Sequence, residues 1–112
     1  LIGNMTVIGD VAGKDVVIVD DIIDTAGTIT TAANLFMEKG ANSVRAFATH
    51  PILSGPAIER IEQSALDAIY FTDTIPLRAH SEKIKTIGIA PLLADVIDKV
   101  YYYKSISSFY IE

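Results

Sequence analysis

VVIVDDIIDTAGT, residues 16–28, decides how the rest of this 112-residue chain is read. Val16–Val19 is a short apolar run rich in β-branched side chains, the pattern of a strand covered on both faces. It drives directly into Asp20 and Asp21, and a third acid, Asp24, follows. Three carboxylates this close repel one another and are costly at the end of a buried strand. The chain's own packing gives no reason for them; a ligand does.

Two adjacent acids accept hydrogen bonds from vicinal hydroxyls, or lie beside a magnesium ion, which prefers hard oxygen donors. After them, Asp24-Thr25-Ala26-Gly27-Thr28 is small, hydroxyl-bearing and leads straight into a helix. The unpaired N–H groups and the dipole of a helix start attract phosphate. Gly27 allows close backbone approach, and Thr25 and Thr28 offer hydroxyl donors. Acids for sugar hydroxyls, followed by a turn for phosphate, match the chemistry of a ribose phosphate.

Outward from this stretch the period alternates. Ile29, Ala32, Ala33, Phe36 and Met37 fall on one face of a helix that Lys39 and Gly40 close. Val44–Thr49 is the next strand, ended by His50-Pro51. Gly55-Pro56 opens a second helix with Ala57, Ile58, Ile61 and Ala65 inward. Ala68–Thr72 and Ile84–Ile89 are two further strands, and a last helix turns Leu92, Leu93, Val96, Ile97 and Val100 inward. Met5–Ile8 reads as a short extended arm, and Tyr101–Glu112 as a polar-aromatic tail with room for a final strand. Alternating strands and helices predict a three-layer α/β architecture, a mostly parallel sheet flanked by helices with right-handed crossovers. Ligands in such folds bind beyond the carboxyl ends of the strands, where the acid-rich loop falls.

Composition excludes several classes. Half of the residues are hydrophobic, which argues against disorder. No apolar run approaches the roughly 20 residues of a membrane span, and no basic flank with an apolar core marks a secretory signal. The absence of cysteine removes a disulfide framework and thiolate metal sites, and fits a cytoplasmic protein. A net charge of -5, with nine scattered Lys and Arg, argues against nucleic-acid binding.

The loop resembles the ribose-phosphate loop of the type I phosphoribosyltransferase fold: an apolar strand, two acids, two apolar residues, then D-T-x-G-T. The flanks narrow the resemblance. NMTVIGDVAGKDVVIVDD before the loop, ATHPILSGPAIERI after the next strand and DTIPL beyond it resemble the ribose-phosphate pyrophosphokinase (PRPP synthetase) family. The likeness implies transfer of the β,γ-diphosphoryl group of ATP to the 1-hydroxyl of ribose 5-phosphate, with Mg2+, giving PRPP and AMP. By position, Asp20 and Asp21 would hold the ribose hydroxyls as the catalytic acids. Asp24, Thr25, Ala26, Gly27 and Thr28 would bind the 5-phosphate. YKSISSFYIE resembles the family's regulatory segment, which implies that Ser105, Ile106 and Ser107 line an anion site for phosphate or ADP at a subunit interface. The resemblance further implies a homo-oligomer, dimeric or hexameric. It places the ATP site and most metal ligands upstream, so residues 1–112 are expected to be the C-terminal part of a phosphoribosyltransferase-like domain, inactive alone.

Other readings stand beside these. His50 is a tempting acid or base, yet Thr49 and Pro51 around it suit strand-end packing. His80 sits in a polar loop, and Ser54-Gly55-Pro56 reads as a helix start or as an anion-binding turn. Tyr101–Tyr103 suits a half-buried edge or interface, or stacking on a base. An enzyme that consumes PRPP would keep the loop, but the THPILSG and DTIP segments and the lack of a base-binding hood oppose it. A non-catalytic regulatory homologue would have no need of both acids and the phosphate turn. A response-regulator receiver needs a Lys at the end of a late strand, where this chain has Gly-Ile-Ala.

Overall fold

The computed structural model describes residues 9–77 and 79–109. Four strands, β1 (Asp15–Ile23), β2 (Ser43–Pro51), β3 (Ala68–Thr72) and β4 (Ile84–Ile87), form one sheet in the order β1-β2-β3-β4. Every neighbouring pair is parallel. Helix α1 (Gly27–Glu38) connects β1 to β2, α2 (Ala57–Gln63) connects β2 to β3, and α3 (Ala90–Tyr101) follows β4. The expected parallel α/β sheet with flanking helices is therefore present.

Consecutive strands are neighbours, so right-handed crossovers set α1 and α2 on the same face. Ile29 and Ala33 of α1 and Ala57 and Ile61 of α2 join Val44, Ala46, Ala48, Ile69 and Phe71 in the core. Alanine at so many of these positions lets helix and sheet backbones approach closely. Phe71, Ile61, Leu66 and Ile69 are the largest side chains buried almost completely there.

Val16–Val19 is not covered on both faces as expected: among the described residues nothing packs on the opposite face. Val17 is 56% and Val19 76% exposed, beside Phe47 and Ile87. Phe47 and Tyr70, paired in register, stack with ring centroids 4.8 Å apart.

Several boundaries differ from expectation, and β2 is not ended by His50-Pro51 but runs on through both to pair with Ile22 and Ile23. Strand β1 does not stop at Val19: Asp20 pairs with Ala48, Ile22 with His50 and Ile23 with Pro51, so pairing to β2 carries the acids into the strand. Strand β4 stops at Ile87, since the Ile89 N–H turns away to donate to the Asp73 carboxylate at 3.1 Å. Helix α2 ends before Ala65, whose N–H donates to Asn34 Oδ1 at 2.8 Å.

Helix α3 corrects another expectation. It forms where the periodicity places it, but none of its residues is buried, and Leu92, Leu93, Ile97 and Val100 are exposed rather than inward. Local spacing makes the apolar stripe, while no described element packs against it. The described part of the tail, to Phe109, forms a 3-10 turn, Ser107–Phe109, and no strand, because the Ser107 N–H donates to the Ser105 hydroxyl and bends the chain. The arm at Met5–Ile8 lies outside the described residues.

The start of the β1–β2 pair carries a testable charge. Ser43 Oγ donates to Asp15 Oδ1 at 2.6 Å and Asn42 Nδ2 donates to it at 2.7 Å. These bonds, Ser43 first, hold the Asp15 carboxyl below its ordinary range. A depressed folded-state pKa adds stability above the unfolded value, near pH 4, and that increment disappears as pH falls through the folded value. Asp15→Asn should therefore lower stability slightly at neutral pH and flatten the acid limb of the profile below about pH 4, where the two proteins converge because the increment is already lost, as measured by urea unfolding.

Candidate functional site

The site stands at the carboxyl edge of β1, where strand pairing delivers the acids. Asp20 and Asp21 are both exposed. Each accepts a local backbone N–H at 2.8 Å: Asp20 from Asp21, and Asp21 from Ile22. The Asp21 carboxyl is held below its ordinary range, first by a hydrogen bond with the Asp20 carboxyl and then by the Ile22 N–H. Among the described residues neither acid has a cationic partner; the one ion pair there is Lys99 with Asp95.

The chain then turns through Asp24, Thr25 and Ala26 into α1. Ala26 is buried in the left-handed region at φ +64°, a conformation that costs a non-glycine residue roughly 1–2 kcal/mol. That turn reverses the chain so that Gly27 opens the helix. No side chain caps α1, so its first N–H groups lack a side-chain acceptor. Thr30 closes the turn from inside, donating its hydroxyl to the Ala26 carbonyl at 2.6 Å. Asp20 and residues 22–29 line one concavity of about 210 Å³. All the residues assigned to ribose phosphate except Asp21 border this hollow.

The loop is also tied across to the segment after β2. Leu53 N–H donates to the Ile23 carbonyl at 3.1 Å and Ser54 N–H to the Asp24 carbonyl at 2.9 Å. The Ser54 hydroxyl donates to the Asp24 carboxylate, and Arg60 Nη1 donates to the Thr25 carbonyl at 3.1 Å. Ser54 is thus more than part of a helix start, and Arg60 was not signalled by the sequence at all. No local pattern could have found them, for their partners lie 30 and 35 residues away. A second groove of about 440 Å³ runs between α1 and α2 behind the loop, with Thr31, Asn34, Arg60 and Gln63 on its walls.

His50 is half-buried, with Nδ1 2.8 Å from the Thr74 hydroxyl, which agrees with strand-end packing. His80 is exposed. Tyr101, Tyr102 and Tyr103 are exposed among the described residues, Tyr103 almost fully. In the tail the Ser105 and Ser107 hydroxyls converge to 3.0 Å, and the Ile106 carbonyl accepts the Phe109 N–H. Lys99 Nζ lies 5.2 Å from the centre of the Phe109 ring, which holds this turn beside α3.

A parallel α/β sheet with an acid pair and an uncapped helix start at its carboxyl edge defines a class of small-ligand-binding α/β domains. Comparison with known proteins makes it particular. The model of the phosphoribosyl synthetase-associated domain matches residues 3–111, and the chain belongs to that family. It is 53% identical over 106 residues to a ribose-phosphate pyrophosphokinase of Helicobacter hepaticus, covering 95% of this chain and 34% of that protein. A Campylobacter jejuni protein of the same name is 51% identical over 107 residues, 96% of this chain and 35% of its own. The crystal structure of phosphoribosylpyrophosphate synthetase from Mycobacterium smegmatis superposes with a TM-score of 0.79 at 40% identity, covering 86% of this chain and 33% of that one. The chain spans about a third of the length of these relatives.

Proposed function

We propose that this chain carries the ribose 5-phosphate side of a ribose-phosphate diphosphokinase, which transfers diphosphate from ATP to the 1-hydroxyl of the sugar and releases AMP. One observation carries the reading: Asp20, which has no cationic partner among the described residues, and an uncapped helix start share a single hollow, with Asp21 next in the chain. The names of the relatives support it.

In this scheme the Asp20 and Asp21 carboxylates accept the ribose hydroxyls and fix the ring. Thr25 and Thr28, with the backbone N–H groups around Ala26 and Gly27, hold the 5-phosphate against the positive end of α1. Diphosphoryl transfer depends mainly on positioning and on neutralising charge, and a held sugar presents its 1-hydroxyl in one direction. Asp20 and Asp21 also suit Mg2+, which is usually bound through one or two carboxylates plus substrate oxygens and waters. When bound there it would offset the charge of acids and phosphates. ATP would be held by the remainder of a longer protein, and Ser105, Ile106 and Ser107 would line a regulatory site for phosphate or ADP in a homo-oligomer.

Amide NMR tests the central claim. Ribose 5-phosphate, with and without Mg2+, should give saturable shifts at Asp24–Thr28, and inorganic phosphate should reproduce them only weakly. A folded spectrum indifferent to ribose 5-phosphate would refute a ribose-phosphate site in this chain.

A further inference from the structure

We infer that Ser54 and Arg60 are positioning residues, which lock the phosphate turn in its binding shape from the neighbouring β2–α2 segment. The inference rests on the ribose-phosphate reading of the loop and extends it to residues outside the loop.

The turn has little to hold it from within. Asp24, Thr25 and Thr28 are exposed, and Ala26 is kept in a left-handed conformation that relaxes readily unless its surroundings fix it. Thr30 ties down the Ala26 carbonyl from the helix side. The outer part, Ile23 to Thr25, is anchored by four bonds from one stretch of chain. Leu53 and Ser54 extend the strand-like pairing past Pro51 through their N–H groups, to Ile23 and Asp24. The Ser54 hydroxyl takes up an oxygen of the Asp24 carboxylate.

That last bond matters electrostatically. A free carboxylate beside a bound phosphate dianion would repel it. Engaged by Ser54, the Asp24 carboxylate is fixed in place and shares its charge with a donor. Arg60 adds the complementary element: one guanidinium N–H fixes the Thr25 carbonyl, and its positive charge stands next to the phosphate turn. A planar guanidinium holds such a direction better than the point charge of a lysine. Leu53 is also left-handed, at φ +53°, so the clamp itself is a shaped element.

The expected signature is a loss of affinity without a loss of fold. Ser54→Ala and Arg60→Ala in the full 112-residue chain should each weaken ribose 5-phosphate binding about tenfold, the size of one hydrogen bond to a charged or fixed group. Their thermal midpoints should stay close to that of the unmodified chain, because Arg60 is exposed and Ser54 only half-buried. Ser54→Thr, which keeps the hydroxyl, should restore most of the affinity, and Arg60→Lys only part of it. Unchanged affinity in both alanine variants would overturn the inference, as would an Ser54→Thr variant no better than Ser54→Ala.

If the unmodified chain ignores ribose 5-phosphate, the binding reading fails, and amide exchange of the ligand-free chain decides the clamp separately. Faster exchange at Leu53 and Ser54 in Arg60→Ala would sustain it, and unaltered exchange would overturn it.

Discussion

Phe71→Ala lowers the stability of the chain by about 3–5 kcal/mol, the usual cost of emptying a buried phenylalanine site. Phe71 is 1% exposed in the third strand of the sheet, and it is the one aromatic side chain in a buried cluster of Ile, Leu, Val and Ala among the described residues. Alanine backbones already in close approach have little room to collapse into the space, so the cavity term adds to the lost transfer energy. Small domains hold only about 5–15 kcal/mol in total, so the variant is expected to populate unfolded chain at room temperature. Urea unfolding followed by circular dichroism measures this directly. Ile97→Ala is the matched control: Ile97 is 67% exposed on α3, and its loss should change stability by less than about 0.5 kcal/mol. Comparable effects at the two positions would mean that the core is not the layer between the sheet and its first two helices.

Replacing both acids, Asp20→Asn with Asp21→Asn, should separate sugar binding from phosphate binding. Each carboxylate that accepts a ribose hydroxyl contributes a charge-assisted bond of about 1.5–3 kcal/mol. Losing two such bonds corresponds to roughly a hundredfold fall in ribose 5-phosphate affinity, taking the low end of that range. Inorganic phosphate should respond in the other direction. It uses only the turn, and the two nearby negative charges that oppose a dianion are gone, so its affinity should hold or rise. Calorimetric titration of both ligands into both proteins tells the cases apart. Parallel losses would show that the amides had distorted the turn, and an unchanged ribose 5-phosphate affinity would remove the acids from the sugar site.

The strands and helices were legible because apolar period is local: Val16–Val19, the Ile29–Met37 stripe and Ala68–Thr72 each declare themselves within a few residues. The loop was legible for the same reason, since its acids, small residues and helix start are contiguous. Ser54 and Arg60 were hidden, because nothing at either position refers to Asp24 or Thr25 until β2 pairs with β1. Strand ends were also misplaced where pairing decided them, as with Asp20 to Ile23 drawn into the sheet by Ala48, His50 and Pro51. The stripe on α3 was read as inward because spacing reports that a face is apolar and says nothing about what covers it.

The sequence by itself determined the alternation of elements, the parallel sheet that such alternation implies, and the contiguous acid and phosphate-turn chemistry at Asp20–Thr28. Only the tertiary structure decided that the acids are drawn into a paired strand, that one sheet face is packed while the other stands open among the described residues, and that a distant segment ties down the loop. The division follows from the range of the forces: propensity and periodicity act between near neighbours along the chain, whereas hydrogen bonds across loops and the burial of a face depend on where separate segments meet.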